Sequence, residues 1–148
     1  MKIFVDSSIL VEYIKDSRPD LLEKLISSNH YLYTNGIVFS EFMFYYLAVI
    51  GEKSPLAVKE SKKIKSIMEK HDPIDLFSYF ITLPIDNEIL LLSYEFMKKY
   101  NLLPNDALIL ATTKLSGIES IATFDNNDFD IPCISESINI INSVMDIK

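Results

Sequence analysis

The sequence predicts an α/β fold in three layers, a central and mostly parallel β-sheet with helices on both faces. Three observations point there. Ile3, Phe4 and Val5 form an unbroken apolar run of the kind that lies in a parallel sheet covered on both sides. Such runs alternate along the chain with longer segments that open on capping residues, the pattern of strand–helix–strand units. The composition also suits a packed core: of 148 residues 49% are apolar, with 3 glycines and 6 prolines. That length is expected to make a single domain over residues 1–148.

Each element has its own signal. Residues 2–5 read as the first strand, followed by a helix over 9–15. After Pro19 a second helix runs to about residue 27, and HYLYT returns as a strand over 30–34. Asn35 can cap the apolar helix that carries Glu41. Ser54-Pro55 opens a helix extending through KESKKIKSIMEK, which places five lysines between Lys59 and Lys70. Residues 78–85 suit a third strand. Asp86 can cap the helix that ends near Tyr100, and Pro104-Asn105 starts another, closed by Gly117. Residues 120–124 form a strand, and IPCI at 131–134 is expected as a last short one.

Composition narrows the function classes. The 21 acidic against 14 basic residues give a net charge of −7, which argues against a broad nucleic-acid-binding face. Acids gathered around a bound cation would weaken that objection, because the ion cancels part of their charge. The lysine run reads as a solvated helix face or as a phosphate-steering patch. Cys133, the one cysteine, excludes an internal disulfide and a cysteine-rich zinc site, and it fits a reducing cytoplasm. The most apolar stretch, residues 37–50, is too short to span a bilayer and carries Glu41, so no membrane association is expected. His30 and His71 lie in no motif, which leaves serine- or cysteine-nucleophile hydrolysis without a partner set.

Four acids stand out. Asp6 follows the first strand and Asp125 a later one, so the topology puts both at the carboxyl edge of the sheet, where ligands bind in open α/β folds. Asp106 lies in the first turn of a helix, and Glu41 lies among Phe39, Phe42 and Phe44. Each has a local explanation: Asp106 complements a helix dipole, Asp125 is a turn residue, Asp6 caps a helix, Glu41 is a surface acid. Gathered at one edge, however, four acids repel unless some protonate or a cation sits among them. No arginine or histidine flanks any of them in sequence. Carboxylate oxygens with open positions suit Mg²⁺ or Mn²⁺.

The series VDSSIL, SEF, NDALILA and TFDNNDF, in that order, resembles the PIN domain, and most closely the VapC-type toxins of prokaryotic toxin–antitoxin pairs. The resemblance runs from residue 3 to about residue 129. It implies a metal-dependent endoribonuclease in which Asp6, Glu41, Asp106 and Asp125 form the catalytic and metal-holding quartet, with Mg²⁺ or Mn²⁺ as cofactor and RNA as substrate. Ser8 matches the small polar residue that supports the first acid, and Thr123 the one before the last acid. Asp128 matches a further acid found in many members, as a metal ligand or supporting group, and it also reads as a plain turn residue. The two serines after Asp6 depart from the family, where many members have an asparagine at the second place.

The resemblance also implies a homodimer silenced by a small VapB-type antitoxin that lies across a hydrophobic groove and the active site. Phe44, Tyr45 and Tyr46 are the aromatic residues expected at such a contact, with core packing as the alternative. Two rivals differ in kind. A phosphatase of the haloacid dehalogenase type also starts with an aspartate after a strand, but it wants a second aspartate where Ser8 stands. A non-catalytic PIN-like module that binds RNA or protein would need no metal.

Overall fold

The structure, a computed structural model, describes residues 1–147. Its five strands are β1 (Lys2–Val5), β2 (Tyr31–Asn35), β3 (Ile81–Leu83), β4 (Ser120–Ala122) and β5 (Asn139–Ile141). They form one sheet in the order β3-β2-β1-β4-β5, and every neighbouring pair is parallel. β1 is central, with Phe4 opposite Tyr33 on one side and Ile121 on the other. Ile3, Phe4 and Val5 point alternately to the two faces, and all three are fully buried. Helices therefore cover both sides of the sheet, as the apolar run of β1 requires.

The helices described are α1 (Ser7–Ile14), α2 (Asp20–Ser27), α3 (Gly36–Gly51), α4 (Pro55–Glu60), α5 (Ile64–His71), α6 (Ile74–Phe77), α7 (Asn87–Tyr100), α8 (Pro104–Leu115) and α9 (Asn126–Glu136). Three of the expected caps form. The Asp86 carboxylate accepts from the Ile89 N–H at 3.0 Å and the Ser54 hydroxyl from Ala57 at 3.2 Å. Asn35 Oδ1 accepts from both Ile37 and Val38 at 3.1 Å, while its Nδ2 donates to Thr112 Oγ1 at 3.0 Å. Asn35 is fully buried, so this one side chain starts α3 and ties it to α8. Among the described residues no helix is long and apolar enough to cross a membrane.

Several boundaries differ from the sequence reading. α1 begins at Ser7, two residues earlier than expected, directly on the end of β1. The lysine-rich segment is two helices, not one. Ser61 Oγ folds back onto the carbonyls of Ala57 and Val58 at 2.8 and 3.1 Å, and Lys62 takes a positive φ of 58° before α5 starts. This turn lets Val58 and Ile67 both close onto Gly51, where an added Cβ would lie 2.6 Å from Val58 Cγ2. β3 is shorter than residues 78–85, because Ser78 and Tyr79 still bond back to the turn of α6.

The last strand lies further along the chain than the sequence suggests. Residues 131–134 lie inside α9, and the final strand is β5. Phe129, Pro132 and Cys133 share one buried helical stripe, while Ile131 and Ile134 are 72% and 78% exposed. Pro132, unusual inside a helix, disguises that period in the sequence.

Candidate active site

Parallel strands deliver their carboxyl ends to one edge. The chain lays β1, β2 and β3 outward in one direction and then returns to put β4 on the other side of β1. β1 and β4 therefore flank the point where strand order reverses, and a crevice opens beyond their ends. Asp6 follows Val5 directly, and its N–H donates to the Ala122 carbonyl of β4 at 3.0 Å. Asp125 stands three residues beyond Ala122. The second turn of α3 brings Glu41, and the first turn of α8 brings Asp106. All four line one cavity of about 310 Å³, together with Ser7, Ser8, Lys15 and Tyr45.

Neither Asp6 nor Asp125 serves as a helix cap. Each occupies a helix N-cap position, yet neither side chain makes a capping bond. Asp6, 4% exposed, instead accepts at Oδ2 from Ser8 Oγ at 2.7 Å and Thr123 Oγ1 at 2.9 Å. Those two hydroxyls accept in turn from the N–H groups of Phe124 and Asp125, each at 3.0 Å. Oδ1 has a single long contact, Ser7 Oγ at 3.5 Å, and is left to the cavity. Glu41 accepts from Ser7 Oγ at 2.8 Å on Oε2 and from Asn105 Nδ2 at 2.8 Å on Oε1.

Burial and crowding make Asp6, Asp106 and Asp125 weaker acids than free aspartates. Asp106 is pushed up to about 7, first by desolvation and then by the charges of Asp128, Asp6, Asp125 and Glu41. Burial likewise raises the Asp6 carboxyl, against the lowering effect of its Ser8 and Thr123 hydrogen bonds. Asp125 is raised by burial and by Asp128. Cations are placed elsewhere. Lys15 reaches the cavity but pairs with Glu12 at 3.2 Å, and Lys99 and Lys114 converge on Glu136 at 3.0 and 3.4 Å. Among the described residues no salt bridge falls on Asp6, Glu41, Asp106 or Asp125.

These oxygens suit a hard divalent cation: carboxylates and hydroxyls around one cavity, with no salt bridge to any of the four acids among the described residues. Among the described residues no three acids already converge into a closed ligand group. The mutual repulsion that lifts Asp106 is consistent with carboxylates spread around the cavity instead of drawn together.

Residues 3–132 match the PIN domain. The chain belongs to the PIN-domain family. Two relatives from Methanocaldococcus jannaschii are similar over most of their length. Ribonuclease VapC2 is 37% identical over 128 residues, 85% of this chain and 86% of that protein. Ribonuclease VapC6 is 39% identical over 141 residues, 86% of this chain and 90% of that one. Solved structures share the fold. VapBC-1 from nontypeable Haemophilus influenzae superposes with a TM-score of 0.63 at 16% identity, over 96% of this chain and 98% of that one. VapBC2 from Rickettsia felis, bound to a DNA fragment from their promoter, gives 0.65 at 18%, over 97% and 99%. The chain is thus a VapC-like PIN domain, and the phosphatase rival falls away.

Within this PIN domain the remaining residues divide. Ser8 and Thr123 both bond to Asp6, although the motif match set Thr123 beside Asp125 and only Ser8 beside Asp6. Asp128 is exposed and lies outside the cavity lining, one helical turn past Asp125, though its charge is the largest one acting on Asp106. Phe44 and Tyr45 are 59% and 51% exposed, and Tyr45 borders the cavity. Tyr46 does not share that surface: it is 3% exposed and packs on Phe42 with ring centroids 5.9 Å apart. Sequence reasoning missed two residues. In the sequence Ser7 shows only as the first of two serines after Asp6 and Asn105 only as a helix start, yet both hold Glu41. Their adjacency to Asp6 and Asp106 was the available signal.

Proposed function

We propose that this PIN domain is a metal-dependent endoribonuclease and the toxin of a VapBC-type toxin–antitoxin pair. One observation carries the reading: Asp6, Glu41, Asp106 and Asp125 share a cavity at the strand-order reversal, and among the described residues no salt bridge falls on any of them. The printed names of the two Methanocaldococcus relatives, both ribonucleases, support the activity. The VapBC complexes among the structural neighbours support a VapB-type antitoxin partner.

In this reading the four acids hold Mg²⁺ or Mn²⁺, with Asp128 adding charge from the rim. The bound ion would supply an activated water and neutralise charge developing on the RNA phosphate. Asp6 contributes Oδ1, because Ser8 and Thr123 occupy Oδ2 and fix the plane of the carboxylate. Asp106, whose carboxyl burial and the neighbouring acids push up to about 7, would have to be deprotonated to hold a cation. The chain acts as a homodimer, and an antitoxin segment covering the cavity would meet Phe44 and Tyr45 at its rim.

The test is cleavage of a mixed pool of folded and single-stranded RNAs by the purified chain, with Mn²⁺ or Mg²⁺, with chelator, and beside Asp6→Asn. Cutting should require the metal, and Asp6→Asn should lower the rate at least about a hundredfold, as expected for loss of a group acting on the developing charge. An Asp6→Asn protein that cuts like the wild type would sink the assignment. A folded protein that binds RNA without ever cutting it would make the chain a binding module.

A further inference from the structure

Glu41 is held differently from Glu12 and Glu136. Glu12 and Glu136 are met by lysines. Glu41 is met by two neutral donors from two different helices, Ser7 Oγ at the start of α1 and Asn105 Nδ2 in the first turn of α8, each at 2.8 Å and each on its own oxygen. Two short bonds on opposite oxygens define both the position and the plane of a carboxylate that could otherwise rotate about three side-chain torsions. A lysine or arginine would fix the group equally well but would cancel its charge. Each oxygen also keeps a further lone-pair direction for an ion or a water.

We infer that Asn105 is a positioning residue: together with Ser7 it fixes the Glu41 carboxylate at the cavity with its negative charge intact, and it acts on cation and RNA through Glu41 alone. The inference rests on the nuclease reading above and deepens it. Asn105 is itself exposed, so its amide adds little to the stability of the fold. That exposure also makes direct contact with RNA the competing role, and the two separate in a double-mutant cycle.

The experiment compares wild type, Asn105→Ala, Glu41→Gln and the double variant. It follows Mn²⁺ binding by electron paramagnetic resonance, RNA cleavage resolved into kcat and KM, and melting temperature. Asn105→Ala should weaken Mn²⁺ binding and lower kcat about tenfold, the scale of one hydrogen bond to a charged group, with KM and melting unchanged. In the Glu41→Gln background the same change should do nothing. Asn105→Asp keeps the shape but offers no donor, so it should lose at least as much as alanine. Equal losses in both backgrounds would assign Asn105 to RNA contact and overturn the inference, as would no loss in either or an aspartate variant that behaves like wild type. If the wild type binds Mn²⁺ but cuts no RNA, the nuclease reading fails while the Mn²⁺ cycle still tests the positioning. If it binds no Mn²⁺ and cuts nothing, both fall together.

Discussion

Asp106 bears the cost of the acid cluster most visibly. Burial and the neighbouring acids push its carboxyl from the ordinary 3.8 up to about 7 in the folded chain. Between those values the folded state holds a proton that the unfolded state has released, so stability falls as pH rises through that interval. Asp6 and Asp125, also raised, push the same way. Without divalent cations the protein should therefore melt at a higher temperature near about pH 5 than near about pH 8. Asp106→Asn should flatten that slope and raise the melting point at the higher pH. Adding Mn²⁺ at the higher pH should stabilise the wild type more than the variant, since the ion binds the folded state alone. A melting curve indifferent to both pH and the substitution would mean that Asp106 is not crowded as described. This residue's part in the site was only half legible in the sequence. Its place in a helix's first turn showed, but the repulsion from Asp128, Asp6, Asp125 and Glu41 needs the folded chain.

At the scale of elements, α3 and α8 set the distance between Glu41 and Asp106, and Asn35 joins the two. Asn35→Ala removes the cap on Ile37 and Val38 and leaves Thr112 without its amide donor. Thermal or urea unfolding should report a loss of about 2 kcal/mol, toward the upper end for a lost N-cap. RNA cleavage should fall as well, because the start of α3 is no longer tied to α8. Unchanged cleavage at reduced stability would show that the Glu41 bonds alone hold that geometry. Asn35, Ser54 and Asp86 were legible as caps because capping is local, a side chain reaching two or three residues ahead. α9 was not legible: Pro132 argues against a helix locally, and the buried stripe of Phe129, Pro132 and Cys133 is decided by what packs over it. The break between α4 and α5 was hidden likewise, since it depends on Val58 and Ile67 meeting Gly51 from another helix.

For the whole molecule, net charge and proposed substrate pull against each other. A chain of net charge −7, with its uncompensated acids gathered in one cavity, should repel RNA at that cavity. In the proposed reading a cation held by these carboxylates would offset that repulsion, and RNA affinity should depend on divalent ions first and on monovalent salt second. Fluorescence anisotropy with a hydrolysis-resistant RNA analogue should show saturable binding in Mg²⁺ or Mn²⁺ and little in chelator. Raising monovalent salt from about 50 to about 200 mM should weaken the divalent-supported complex far less than the 10³–10⁵-fold lost by a protein making many phosphate contacts. The opposite result is equally informative. Tight binding in chelator that collapses with salt would place RNA recognition on a basic surface, and the lysines of α4, α5 and the turn between them are the densest one in the sequence. Glu60→Lys and Glu69→Lys would then strengthen binding, whereas recognition at the acid cavity leaves both variants close to wild type.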